Sequence, residues 1–88
     1  MTISLIERTI LEAALIRIPR DELLADCRAQ GHQTQEIMNT LVTLSRDNLI
    51  DLSHGEGREH RTRRDRPYYC TTTRGRQVLV VNHPPLFH

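Results

Sequence analysis

The chain has 88 residues, 38% of them hydrophobic and 26% charged, with a formal net charge of +1. That length suits one domain, 1–88, which buries only about 60% of its unfolded surface, so a large enclosed active site is disfavoured. No apolar run approaches the roughly 20 residues that span a bilayer, and MTISLIERTILEAAL has no basic leader, so the expected setting is the cytoplasm with Cys27 and Cys70 reduced.

Ser4 to Glu7 has the capping-box pattern, and Ile6, Ile10, Ala13 and Arg17 follow at helical spacing, flanked by Ile3, Leu11, Ala14 and Ile18. This predicts a helix over 5–16, ended by Pro19, with Arg17-Ile18-Pro19 as a short extended piece. Asp21 is expected to cap a second helix over 21–30, with Leu23, Leu24, Cys27 and Ala29 inward and Gly31 as the residue of positive φ that closes it. After a tight link at His32-Gln33-Thr34, TQEIMNTLVTLSRDN predicts a third helix. Its inner stripe is Ile37, Leu41, Leu44 and Asn48, with Met38 on the flank. Two helices joined by so short a link, the first ending in glycine, fit a helix-turn-helix.

From Leu49 the period changes. Ile50 and Leu52 alternate with Asp51 and Ser53 as in a half-buried strand, and Tyr68-Tyr69-Cys70-Thr71-Thr72 is a second strand, aromatic and β-branched. Between them lies HGEGREHRTRRDRP, 54–67, with five arginines and no large apolar side chain. Gly55 and Gly57 supply turn freedom, so this stretch reads as the solvated tip of a β-hairpin. Thr72 or Thr73 caps a last short helix, TRGRQVLVV, with Val78, Leu79 and Val81 inward. Residues 82–88 form a tail.

Charge is placed unevenly. Residues 1–50 carry five arginines against seven acids; residues 51–88 carry seven arginines against four. Every basic side chain among those counted is arginine, whose planar fork pairs with phosphate or a guanine edge. A GC-rich genome explains an arginine bias equally well.

Helix, helix, turn, helix, strand, basic loop, strand and short helix is an order that resembles the winged helix-turn-helix domain of bacterial transcription regulators of MarR or PadR type. The resemblance covers about residues 5–81 and rests on three stretches. RDELLADCRAQG looks like the second helix with its terminal glycine. TQEIMNTLVTLSRDNLI looks like the recognition helix running into a strand, with Asn48 where glycine is common. YYCTTTRGRQVL looks like the second wing strand and the following helix. The implied fold is α+β: three helices, a two-stranded β-hairpin wing and a short C-terminal helix.

The resemblance implies double-stranded DNA as the partner, read by the third helix from the major groove. The candidates there are Gln33, Thr34, Gln35, Met38, Asn39, Thr43 and Arg46, and amides such as Gln35 and Asn39 can pair with adenine. Set against this, Glu36 lies in that helix and no basic residue precedes Arg46. Phosphate affinity then falls to the wing, through Arg58, Arg61, Arg63, Arg64 and Arg66, with Arg20, Arg28 and His32 as edge contacts. The ordinary alternatives are a polar helix face and a solvated loop.

His54, His60, Cys70 and Cys27 lack the tight spacing of a zinc site, so no metal and no cofactor is expected. Ser45, Asp51 and His54 lack the setting of a catalytic triad, and an enzyme is not expected. The surplus of apolar positions in the first helix (Ile3, Leu5, Ile6, Ile10, Leu11, Leu15), with Val80, Val81 and Phe87, suggests a homodimer through that helix and the C-terminal segment. The rival reading, of a different class, is a winged-helix protein-protein interaction module, an adaptor or a phage or plasmid factor without direct DNA binding.

Overall fold

A computed structural model describes residues 2–54 and 67–82 of the chain. The elements are α1 (Leu5–Ala13), β1 (Ile18–Pro19), α2 (Arg20–Ala29), α3 (Thr34–Arg46), β2 (Ile50–His54), β3 (Pro67–Thr71) and α4 (Thr73–Asn82). The three strands form one antiparallel sheet in the order β1-β3-β2. The fold is a small α+β winged helix-turn-helix, with one strand more than the sequence suggested.

α1 begins with the expected capping box. The Glu7 amide donates to Ser4 Oγ at 3.2 Å, and the Ser4 amide donates to Glu7 Oε1 at 2.7 Å. Ile6, Ile10, Leu11 and Ala14 are buried. The helix stops at Ala13, three residues before the predicted end at 16, because a distant residue takes over its last carbonyls. The Thr71 hydroxyl donates to the Leu11 carbonyl at 2.7 Å, and the Thr71 amide to the Ala14 carbonyl at 2.8 Å. A buried carbonyl needs a partner, and here β3 supplies it in place of a further helical turn. Arg17 is therefore outside the helix, its guanidinium 4.6 Å from the Tyr68 ring centre.

Ile18 and Pro19 pair with Tyr69 and Tyr68 at the edge of the sheet, where a proline is tolerated because its missing N–H faces outward. Pro19 is also the N-cap of α2, at φ −64° and ψ 145°, so the helix starts at Arg20 and Asp21 is not the cap. The fixed φ of proline already suits the cap position, and Asp21 and Glu22 fall in the first turn, near the positive end of the helix dipole. Leu23 and Cys27 are buried and Leu24 packs against the core, but Ala29 is exposed.

α2 and α3 end in the same way. After α2, the His32 amide donates to the Cys27 carbonyl at 3.2 Å and the Gly31 amide to the Arg28 carbonyl at 2.9 Å, with Gly31 at φ +100°. After α3, the Leu49 amide donates to the Leu44 carbonyl at 2.9 Å and the Asn48 amide to the Ser45 carbonyl at 3.1 Å, with Asn48 at φ +63°. Both are Schellman motifs. Asn48 does the work of a glycine, because asparagine tolerates the left-handed region better than most residues. It is exposed and lies beyond the helix, so it is not part of the inner stripe. Ile37, Leu41 and Leu44 make that stripe, and Leu49 closes it.

β2 pairs with β3 in the register Ile50↔Thr71, Asp51↔Cys70, Leu52↔Tyr69, Ser53↔Tyr68 and His54↔Pro67. His54 and Pro67 are thus strand residues, not tip residues, while 55–66 lie outside the described residues. Ile50 and Tyr69 are buried. Leu52, expected inward, is 45% exposed, since β2 is an edge strand with less above it at its far end. Cys70 is half-buried, on the face opposite Tyr69 and Thr71.

Thr72 caps α4: its hydroxyl accepts from the Gly75 amide at 3.0 Å and donates to the Asn48 carbonyl at 2.7 Å. Gly75 sits hard against the end of α3. A Cβ there would collide with the Leu49 carbonyl oxygen and lie 2.6 Å from Thr71 Cγ2. Leu79 is buried and Val78 half-buried, but Val81 is 75% exposed and does not turn inward. Asn82 belongs to α4 and not to a tail; its carbonyl accepts from Arg8 at 2.9 Å.

Candidate nucleic-acid interface

α3 is held from within by its apolar stripe and from both ends by turns, which leaves its opposite face to solvent. Gln35, Asn39 and Arg46 are exposed there, and Gln33 and Thr34 are exposed at the N-terminal end of the helix. Met38 and Thr43 are half-buried on the flanks. Met38 packs against the core, and the Thr43 hydroxyl donates back to the Asn39 carbonyl at 3.3 Å. Gln35 and Asn39, one turn apart, are joined: Gln35 Nε2 donates to Asn39 Oδ1 at 3.2 Å.

The charge on this face is sparse. Glu36 stands in the first turn and Arg46 in the last. His32 Nδ1 lies 3.9 Å from Glu36 Oε1, so a protonated His32 would offset that acid locally. Arg28 is exposed and Arg20 half-buried. The five wing arginines, Arg58, Arg61, Arg63, Arg64 and Arg66, lie outside the described residues. β2 and β3, the strands that flank them in sequence, pair directly after α3.

Val42 is the outward residue that the sequence reading left out of the candidate contacts. It is 63% exposed on the outer face of α3, although it is apolar and β-branched. The signal was present: Ile37, Leu41 and Leu44 define the inner stripe, so position 42 must point away.

Other features do not join this face. An open cavity of about 450 Å³ lies between α1 and α2, lined by Thr9, Glu12, Ala13, Asp26, Ala29 and Gln30. Its two acids would repel a phosphate. Burial pushes the Cys27 thiol up from its ordinary range, and the neighbouring Asp26 charge adds to this, so Cys27 is a packed thiol rather than a thiolate nucleophile. Among the described residues no group of three His, Cys, Asp or Glu side chains could hold a metal ion, and no helix is long and apolar enough to cross a membrane.

The arrangement defines a winged-helix scaffold with an outward polar helix beside the paired strands β2 and β3. One solved structure with this fold is PadR of Bacillus subtilis in complex with operator DNA. It aligns with a TM-score of 0.70 at 16% sequence identity, over 93% of this chain and 50% of the PadR chain. The chain therefore spans about half the length of that protein. No family model matches the sequence, and no curated protein matches it.

Proposed function

We propose that this chain binds double-stranded DNA as a transcription regulator, with α3 in the major groove and the arginine-rich wing on the backbone or in the minor groove. The observation that carries this reading is the solvent-facing polar row of α3 on a fold that is also that of PadR, a protein solved on operator DNA. Gln33, Thr34, Gln35, Met38, Asn39, Thr43 and Arg46 make the groove contacts. Arg58, Arg61, Arg63, Arg64 and Arg66 hold the phosphates. The role is one of binding without catalysis, in the cytoplasm. Roughly three phosphate contacts per chain give a shallow salt dependence unless two copies act together.

Pairing of two copies through α1 and the C-terminal segment is part of this reading. Leu5, Leu15 and Ile16 are exposed at the two ends of α1, and Val80 and Val81 are each 75% exposed on α4. The Arg8–Asn82 bond keeps the two helices side by side. A second reading, a protein-interaction module, draws on the same apolar surface and on Glu36 at the start of α3.

Titration against random duplex DNA at low and moderate salt separates the two. Binding that weakens with salt, and falls further when Arg61, Arg63 and Arg64 are changed to Ala, supports the regulator. Failure to bind even at low salt favours the interaction module.

A further inference from the structure

The outermost row of α3 is narrower than the full set of candidates. At about 100° per residue, Gln35, Asn39, Val42 and Arg46 fall within an arc of roughly 60°, diametrically opposite Ile37, Leu41 and Leu44. All four are exposed. Two features of this row bear on what it can recognise. Its two amides are tied to each other, and its centre is an isopropyl group 63% in solvent.

The tie determines what the amides still offer. Gln35 spends one N–H on Asn39 Oδ1 and keeps its other N–H together with Oε1. Asn39 acts as the positioning residue, holding the Gln35 amide one turn along the helix. An N–H beside a carbonyl oxygen matches the major-groove edge of adenine, where N7 accepts and the N6 amino group donates. Guanine presents two acceptors on that edge, which leaves Oε1 facing an acceptor. Cytosine presents a donor only. An amide group left unmatched in a closed interface is costly, so the pair discriminates.

Val42 needs a different partner. The apolar feature that base edges present in the major groove is the C5-methyl of thymine. Val42 lies three residues beyond Asn39, about 4.5 Å along the helix axis, against about 3.4 Å for one base-pair step. The methyl it meets therefore belongs to the neighbouring base pair.

Resting on the DNA-binding reading above, we infer that α3 reads an adenine with the Gln35–Asn39 amide pair and the methyl of a thymine in the adjacent base pair with Val42. The preferred sites thus contain a step of two A·T pairs. Arg46, one turn further on, continues the same exposed row.

The test starts from selection of bound duplexes out of a randomised pool by the full chain. A shared motif with two adjacent A·T pairs is expected. In the selected duplex, each thymine is then replaced singly by deoxyuridine, which removes only the methyl. At one position wild-type affinity should fall about three- to fivefold, as for one buried methyl, and the Val42→Ala chain should not respond. Replacement of the read adenine by 7-deazaadenine should weaken the wild type about tenfold and leave Gln35→Ala unaffected. A motif of G·C pairs, no motif at all, or a Val42→Ala chain that still senses the missing methyl overturns the inference while DNA binding stands. Absence of binding to any duplex at low salt overturns both.

Discussion

On the inner face of α3, Ile37, Leu41 and Leu44 are at most 2% exposed, whereas on the outer face Val42, also an apolar side chain, is 63% exposed. The two faces are a few ångströms apart on one helix, yet their residues answer to different constraints. Each inner side chain has neighbours within the chain that account for its shape and polarity. Outer residues have few such neighbours, Gln35 and Asn39 having mainly each other, so the fold constrains their identities far less.

The inner face gives the largest expected effect. Leu41→Ala removes a side chain that is 2% exposed at the centre of the helix bundle. It should cost about 2–5 kcal/mol, from lost burial plus an unfilled cavity. In a domain of this size that lowers the thermal midpoint by roughly 10 °C or more, readable by circular dichroism. An unmoved midpoint would mean that the inner and outer faces have been exchanged.

Gly75→Ala asks whether the frame around α3 is as tight as its core. In an open helix this change adds stability, up to about 1 kcal/mol from helix propensity. Here the new methyl would run into the Leu49 carbonyl, which already accepts from the Thr72 amide at 3.1 Å. The expected outcome is a net loss of about 1–3 kcal/mol, as for an overpacked site, measured by urea denaturation. A gain in stability would show that α4 can move away from the end of α3, and that the hairpin root is less firmly placed than its contacts suggest.

Local signals accounted for most of the frame in advance. The capping box of Ser4 and Glu7, the positive φ at Gly31, and the period of α3 each depend on residues within a few positions of one another. What escaped depends on residues far apart. α1 ends early because Thr71, 60 positions away, claims the Leu11 carbonyl. β1 is only two residues long and contains a proline, so its place in the sheet comes from pairing with Tyr68 and Tyr69 and not from any pattern of its own. Leu52 alternates correctly, but an edge position leaves it half in water. Asp21 lost the cap to Pro19, whose ring already supplies the backbone angle. The candidate site was legible as a face, since helical period alone separates Gln35 and Asn39 from Leu41. It was not legible as a set of contacts. The bond between the two amides is a matter of side-chain geometry, and Val42 was read as an ordinary outward position because no rule of period assigns a partner to an exposed apolar residue.

The smallest effect on folding is expected at Val42 itself, and it is the sharpest check on the difference between the faces. A side chain that touches only water contributes little to stability, and valine is a poorer helix former than alanine. Val42→Ala should therefore leave the unfolding free energy unchanged or raise it by up to about 0.5 kcal/mol. The same substitution at the buried Leu44 would cost several times that amount, although the two positions are two residues apart. A loss above about 1 kcal/mol would mean that Val42 is packed against something within the chain, and its exposed face would not be free to enter a groove. A loss that appears only at high protein concentration would instead place Val42 between two copies, since contacts made on association add to stability by mass action. Measuring the midpoint at two concentrations a hundredfold apart distinguishes these outcomes, and only a flat result at both leaves the outer face of α3 open for DNA.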